Sequence, residues 1–155
     1  MEKIGFFRPY DLYGEFSNWY LCDFSYAGQD FISSEQALMW SKAKMFGDEE
    51  VAEKILQTTD QGQIKKLGRQ VKNYDDKKWA DARYDIMVAI LHEKFSQNIE
   101  LEAVLLSTVG AELYEASPYD RIWGIGSTST DCINGQNLLG KALMQIRKHI
   151  LLSFT

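Results

Sequence analysis

The chain has 155 residues, 45% of them hydrophobic and 25% charged, so we expect one globular domain over residues 1–155 with enough apolar material for a core. The formal net charge of −5 argues against a broad nucleic-acid groove, which needs clustered Lys and Arg. No apolar run reaches the roughly 18 residues of a membrane span and no leader is recognised, so we expect a cytoplasmic protein with no membrane partner and reduced cysteines.

The segment before Ser33 is aromatic and rich in loops, whereas the rest of the chain shows helical patterns. The alternation Phe24–Ser25–Tyr26, followed by Gly28, predicts a short strand and a turn. Helices are predicted at Ser33–Asp48, Glu49–Gln57, Gln61–Gly68, Lys77–Phe95, Ile99–Ser107 and Asn134–Leu152. These elements predict an α+β fold, a single compact domain with a helical majority and a few short strands.

The first predicted helix has local signals at both ends. Ser33 followed three residues later by Gln36 is a capping-box pattern, which satisfies backbone N–H groups at a helix start. Gly47 suits the left-handed position that follows many helix ends. The pattern therefore predicts where this helix begins and ends without any tertiary contact.

The apolar stripe of the same helix contains two charges. At about 100° per residue, Glu35 and Lys42 fall within the arc of Leu38, Met39 and Phe46. An unpaired buried charge is costly, so this face is either solvated, or paired, or lines a ligand cavity. The helix by itself leaves these alternatives open.

The long helix repeats this pattern, because Arg83 lies four residues after Trp79 on a stripe that continues to Ile86 and Ile90. One interpretation is a cation–π pair whose guanidinium reaches water. The other is a guanidinium placed to hold phosphate or carboxylate.

The loop Glu115–Asp131 and the last helix supply further candidates. Asp120, Trp123 and Gly124 have structural interpretations as a turn cap, a core aromatic and a flexible position. In the last helix Asn137 and Gly140 lie opposite the predicted core face, and a glycine inside a helix is explained if another group approaches closely. The core face comprises Leu139, Ala142, Leu143, Ile146 and Ile150.

Several common chemistries have no sequence support. Cys22 and Cys132 lack a metal-binding spacing, and no P-loop, H-E-x-x-H or Ser–His–Asp pattern is present. We therefore predict neither a metal nor a cofactor.

Five segments occur in an order and spacing that resemble one family. They are EFSNWY, SSEQALMWSKAKMFGD, LGRQVKNYDDKKWADAR, ASPYDRIWGIG and NGQNLLGKALMQIR. The set resembles the NADAR, or YbiA-like, family from about Phe16 to Arg147.

The resemblance implies a helix-rich α+β domain that acts as a metal-independent N-glycosidase on ribosyl C–N bonds. Some members of the family cleave phosphoribosylamino intermediates of riboflavin biosynthesis, and others remove ADP-ribose from guanine in nucleic acid. The resemblance implies the catalytic residues Glu35, Lys42 and Asp120. It also implies substrate-binding residues, namely Asn18, Trp79, Arg83, Trp123, Gly124 and Asn137.

The chain departs from the family pattern in places. Trp19 stands where Phe is usual, and Trp40 and Ser41 stand where Tyr and Gln often occur. Ile133 and Asn134 precede Gly135, where the family commonly has a Trp that can stack on a base. The sequence therefore does not determine whether the substrate base is guanine or an aminopyrimidine.

Cleavage of a ribosyl C–N bond develops oxocarbenium-like charge, which a carboxylate stabilises while an acid protonates the leaving nitrogen. Lys42 can act either as a cation that holds a phosphate or the ring oxygen of the sugar, or as a nucleophile, for which its pKa must be lowered. Two alternatives from other classes stay open: a nucleotide or ADP-ribose binding module without turnover, and an interaction protein whose charges are merely paired.

Overall fold

The computed structural model describes residues 2–155 and divides them into two units. One unit comprises residues 21–94, and the other comprises residues 2–20 together with 95–155. The helices are α1 (Ser34–Met45), α2 (Glu49–Leu56), α3 (Gln61–Gly68), α4 (Asp76–Ser96), α5 (Ile99–Leu106) and α6 (Leu138–Ser153). The strands are β1 (Lys3–Phe6), β2 (Phe24–Tyr26), β3 (Gln29–Phe31) and β4 (Glu112–Glu115). The single domain predicted over residues 1–155 stays a prediction.

In the unit of residues 21–94, α1, α2 and α3 pack against one another around an apolar core. Met39, Trp40 and Phe46 of the α1 segment cover this core from one side. The helix α3 approaches α1 so closely that a Cβ on Gly68 would lie 2.1 Å from Met39 Sδ. The buried members of the core are Ala43, Val51, Ala52, Ile55, Ile64, Leu67 and Val71.

The predicted end signals of α1, Ser33 and Gly47, are confirmed by its capping contacts, although the helix ends at Met45 and Asp48 caps α2. Ser33 Oγ accepts a hydrogen bond from Gln36 N at 3.1 Å, and Gly47 has φ +75°. The reciprocal contact differs from a standard capping box, because Gln36 Oε1 accepts from Ile32 N at 3.0 Å. Gln36 Nε2 also donates to Ile55 O at 3.0 Å. The capping side chain thus ties α1 to the end of α2.

The strand and turn predicted after Phe24 are confirmed as an antiparallel hairpin. Phe24 pairs with Phe31 and Tyr26 with Gln29, and Gly28 has φ +77° in the connecting turn. Glycine suits this turn because it adopts positive φ at no steric cost.

The second unit contains a parallel pair that the sequence pattern does not predict. β1 pairs with β4 in the register Ile4↔Leu113 and Phe6↔Glu115. The helix α6 packs on β4 and buries the whole predicted core face, from Leu139 to Ile150. Arg147 fixes the approach to β4, since its guanidinium donates to Thr108 O at 2.9 Å and Ala111 O at 2.8 Å.

The predicted start of the last helix was wrong by four residues. The helix begins at Leu138 rather than Asn134, because the backbone of residues 134–137 bonds to the preceding loop. Asn134 N donates to Ile125 O at 2.7 Å, and Asn137 N donates to Gly124 O at 3.0 Å. These N–H groups are satisfied outside the helix, so the segment follows the loop and enters the helix only after Asn137, whose φ is +54°.

No helix within residues 2–155 is both long enough and apolar enough to cross a membrane.

Candidate functional site

Two candidate catalytic residues lie on α1. Glu35 is in the first turn and Lys42 in the last, seven residues apart, which corresponds to about two turns and roughly 10 Å of rise. Both side chains are half-buried, whereas the neighbouring Leu38 is only 1% exposed. The charged face predicted from the sequence therefore lies at the edge of the apolar core rather than in open solvent.

The pKa of Lys42 is lowered, chiefly because burial removes water from the ammonium. Glu35 and Asp76 oppose this change, since their negative charges favour the ammonium, whereas Arg69 adds to it. The balance raises the fraction of neutral amine at a given pH. A lysine in this state can act as a base or a nucleophile more readily than a fully solvated one.

An aromatic side chain from outside the helix contacts Lys42. The ammonium nitrogen lies 4.6 Å from the ring centroid of Tyr74, which is within cation–π range. Tyr74 Oη donates to Asp76 Oδ1 at 2.8 Å. Burial and the contact with Asp76 raise the pKa of Tyr74, and Arg83 partly opposes this change. Tyr74, Asp76 and Arg83 thus belong to the same electrostatic neighbourhood as Lys42.

On α4, Trp79 is only 5% exposed, and Arg83 is half-buried one turn later. Arg83 makes no cation–π contact with Trp79 among residues 2–155, so that interpretation of the pair is not supported. Its Nε atom is buried and has no hydrogen-bond partner in this part of the chain. A buried guanidinium N–H without a partner is unfavourable, and an anionic ligand would satisfy it.

In the other unit, Asp120 holds the loop backbone. Its Oδ1 accepts from Ile122 N at 2.9 Å and from Trp123 N at 2.8 Å. Its carbonyl accepts from Gly126 N at 3.0 Å. This is the turn-capping alternative considered for Asp120, and a catalytic role for its carboxylate stays a prediction.

Asn137 is 4% exposed, and its amide bonds to two backbone groups of the β4 strand. Oδ1 accepts from Glu115 N at 3.0 Å, and Nδ2 donates to Leu113 O at 3.0 Å. A Cβ on Gly140 would lie 2.2 Å from Leu113 O, which explains the glycine in the helix. Asn137 therefore fixes α6 against β4, and its contact with a ribose stays a prediction.

The remaining predicted binding residues lie in the same unit as Asp120. Asn18 is 6% exposed and follows a 3-10 turn at Gly14–Phe16. Trp123 is half-buried, and its carbonyl accepts from Leu139 N at 3.0 Å. Gly124 has no room for a side chain, because a Cβ would lie 2.8 Å from Asp120 O. Their contacts with a substrate stay predictions.

No group of three or more His, Cys, Asp or Glu side chains within residues 2–155 is arranged to hold a metal ion.

Sequence reasoning missed the part that Tyr74, Asp76 and Arg69 play around Lys42. All three lie in the quoted segment LGRQVKNYDDKKWADAR, but they have no helical spacing relative to Lys42. Only the packing of α1 with the segment from Arg69 to Asp76, which runs from the end of α3 into the start of α4, brings them together. The local sequence signal is Asn73, because asparagine favours turns, and the structure places a turn there with φ +61°.

Comparison with known proteins identifies relatives along almost the entire chain. The NADAR domain matches residues 5–151. An N-glycosidase of Acanthamoeba polyphaga mimivirus is 41% identical over 86% of this chain and 85% of its own length. A riboflavin biosynthesis protein of Vibrio vulnificus is 34% identical over 96% of this chain, which spans only 39% of that protein.

A solved structure with the same fold comes from Escherichia coli. N-glycosidase YbiA of strain K12 is 31% identical over 95% of this chain and 88% of its own length. The NMR structure of E. coli YbiA aligns with a TM-score of 0.84 and 30% identity, covering 98% of this chain and 86% of that one. The predicted helix-rich α+β fold is thereby confirmed.

Proposed function

The chain belongs to the NADAR domain family, and we propose that it hydrolyses the ribosyl C–N bond of a phosphate-bearing, nucleotide-like substrate. Relatives named N-glycosidases, at 31% and 41% identity, support the enzyme class. Two substrates fit the proposal, namely ADP-ribosylated guanine in nucleic acid and a phosphoribosylamino pyrimidine intermediate. The name of the Vibrio vulnificus relative supports the second.

The environment of Lys42 carries the proposal. A lysine with a lowered pKa and a glutamate on the same helix face provide an amine that can be neutral and a carboxylate that can stabilise cationic charge. Bond cleavage leaves positive charge at the anomeric carbon, which Glu35 is proposed to stabilise. These two groups match the chemical needs of ribosyl C–N cleavage without a metal or a cofactor.

Two roles for Lys42 fit its surroundings. As a neutral amine it attacks the anomeric carbon, the leaving nitrogen takes a proton, and ring opening gives a Schiff base that water hydrolyses. As an ammonium it holds a substrate oxygen and polarises the reacting sugar. Lys42→Arg separates the two roles, because a guanidinium keeps the charge but is not deprotonated in proteins.

Arg83 is proposed to bind the phosphate. Its buried Nε atom has no hydrogen-bond partner within residues 2–155, and guanidinium groups bind phosphate through paired N–H donors. The net charge of −5 suits a locally held phosphate better than an extended contact with a nucleic-acid backbone.

A paired turnover assay tests the function. Wild type and Lys42→Ala are each incubated with an ADP-ribosylated guanine oligonucleotide and, separately, with the phosphoribosylamino pyrimidine, and released base is measured by mass spectrometry. We expect release from one substrate by the wild type and a loss of about 100-fold or more in Lys42→Ala.

Lys44→Ala is the matched control, because Lys44 lies on the same helix but is paired with Glu49 at 2.7 Å on the surface. We expect it to keep wild-type turnover. Tight binding of ADP-ribose without release from either substrate would contradict the enzyme and favour the binding module. Absence of both turnover and a ligand-induced thermal shift would favour the interaction protein.

A further inference from the structure

The ring of Tyr74 provides a platform for the Lys42 side chain. The ammonium nitrogen lies 4.6 Å from the ring centroid, although the two residues belong to segments separated by all of α2 and α3. A cation within about 6 Å of an aromatic face is attracted by the electron density of the ring. The contact thus constrains both the position and the charge of this lysine.

The ring itself is fixed from two sides. Tyr74 Oη donates to Asp76 Oδ1 at 2.8 Å, and Asp76 lies in the first turn of α4. The ring of Phe46 packs edge-on against the ring of Tyr74 at 5.4 Å between centroids and 66° between planes. Because these contacts do not involve Lys42, the ring keeps its place whether the amine is charged or neutral.

Charged groups on α1 itself, on α4 and at the end of α3 act on the same amine. Glu35 on α1 and Asp76 on α4 favour the ammonium. Arg69, which follows α3, favours the neutral amine, as does the burial of Lys42. The ring of Tyr74 favours the ammonium, as the two carboxylates do, because a cation–π contact exists only with the charged form.

We propose that Tyr74 is a positioning residue for Lys42, whose ring holds the ammonium in one orientation at the charged face of α1. The inference rests on the proposed function only in taking Lys42 as a participant in the reaction. The ring carries this role, and the hydroxyl serves to anchor the ring to Asp76.

Two substitutions separate the ring from the hydroxyl. Tyr74→Phe keeps the aromatic face below Lys42 and removes only the hydrogen bond to Asp76. Tyr74→Leu keeps an apolar side chain beside the lysine but removes the cation–π contact. Tyr74 is 42% exposed, so both variants are expected to fold, which urea denaturation checks.

The first readout is the pH dependence of the labelling of Lys42 by an amine-reactive acetylating reagent, quantified by peptide mass spectrometry. Lys44 serves as the reference amine within each sample. We expect the apparent pKa of Lys42 to fall by about 0.5–1 unit in Tyr74→Leu and to stay near wild type in Tyr74→Phe. An unchanged or raised pKa in Tyr74→Leu would overturn the proposal.

The second readout is steady-state kinetics on the substrate that the wild type cleaves. We expect kcat to fall about tenfold in Tyr74→Leu with KM nearly unchanged, because the ring orients the reacting group rather than binding the substrate. Tyr74→Phe is expected to retain most of kcat. Equal losses in both variants would show that the hydroxyl, and not the ring, carries the effect.

The two readouts distinguish the failure of this inference from the failure of the proposed function. Labelling needs no substrate, so it tests the contact between Tyr74 and Lys42 even if the wild type cleaves neither substrate. A normal turnover assay together with an unshifted label in Tyr74→Leu would leave the N-glycosidase intact and refute the positioning role.

Discussion

Candidate residues in the two units use their side chains in opposite ways. Asp120 and Asn137, in the unit of residues 2–20 and 95–155, direct their polar atoms at backbone N–H and carbonyl groups. In the unit of residues 21–94, Lys42 lies over an aromatic ring, and the buried Nε of Arg83 has no hydrogen-bond partner within residues 2–155. Asp120 and Asn137 hold a loop and a helix in place, whereas Lys42 and Arg83 carry charges that are not used to hold the backbone of the described residues.

This contrast shows why a resemblance in sequence does not assign a role to each residue. A polar residue in a family motif can serve the chemistry or the backbone that supports it. Hydrogen bonding helps to separate the two, because an amide that bonds to two backbone groups is fixed in orientation and has one donor and one acceptor site left for a ligand. The following substitutions test whether the contrast holds in solution.

The largest effect on stability is expected for Asn137→Ala. The substitution leaves Glu115 N and Leu113 O without their buried partner, which is expected to reduce the free energy of unfolding by about 2–4 kcal/mol. Asn137→Gly separates this loss from the backbone conformation, since φ is +54° at this position. Urea denaturation measures both variants, and a loss of turnover at unchanged stability would instead place Asn137 at the substrate.

The converse is expected for Arg83→Ala. Its Nε atom makes no hydrogen bond within residues 2–155, so the free energy of unfolding is expected to change little. KM is expected to rise about tenfold or more, because the phosphate loses a charged donor. Arg147→Ala is the matched control, because that guanidinium donates to the carbonyls of Thr108 and Ala111. It should lose stability and keep its KM. An unchanged KM in Arg83→Ala would remove the phosphate role.

Asp120 offers a finer test, because one substitution removes the accepting oxygen and another removes only the negative charge. Asp120→Ala removes the oxygen that accepts from Ile122 N and Trp123 N, which is expected to lower the free energy of unfolding by about 1 kcal/mol. Asp120→Asn keeps an acceptor oxygen but not the negative charge. If the carboxylate only holds the turn, Asp120→Asn keeps its turnover. A loss of about 100-fold or more would instead show acid–base or electrostatic catalysis.

The smallest effect concerns Asp48, a carboxylate in the unit of residues 21–94 that supports backbone. Hydrogen bonds from Lys72 N at 2.9 Å and Val51 N at 3.1 Å lower its pKa. The carboxylate thus stabilises the fold fully above its ordinary pKa of about 4, and this contribution disappears as pH falls through the lower folded value. Urea midpoints of wild type and Asp48→Asn should converge as pH falls below about 4, and a constant difference would contradict this expectation.

The sequence determined the elements whose signals are local. Ser33 and Gln36 set the start of α1, and Gly28 and Gly47 occupy the left-handed positions that end a strand and a helix. The bounds of α3 agree at both ends, because Asp60 caps its first turn through Gln63 N. In each case the hydrogen bonds join residues a few positions apart, so the pattern of side chains is sufficient.

Features that depend on contacts between residues distant in the sequence arise only from the tertiary structure. The pairing of β1 with β4 joins segments more than a hundred residues apart, and the start of α6 moved because residues 134–137 bond to the preceding loop. The same reason explains the candidate site. The sequence placed Glu35 and Lys42 on one helix face, but only packing placed the ring of Tyr74 against Lys42 and lowered the pKa of that lysine by burial. Burial and long-range contacts arise from the assembled chain, and no local pattern encodes them.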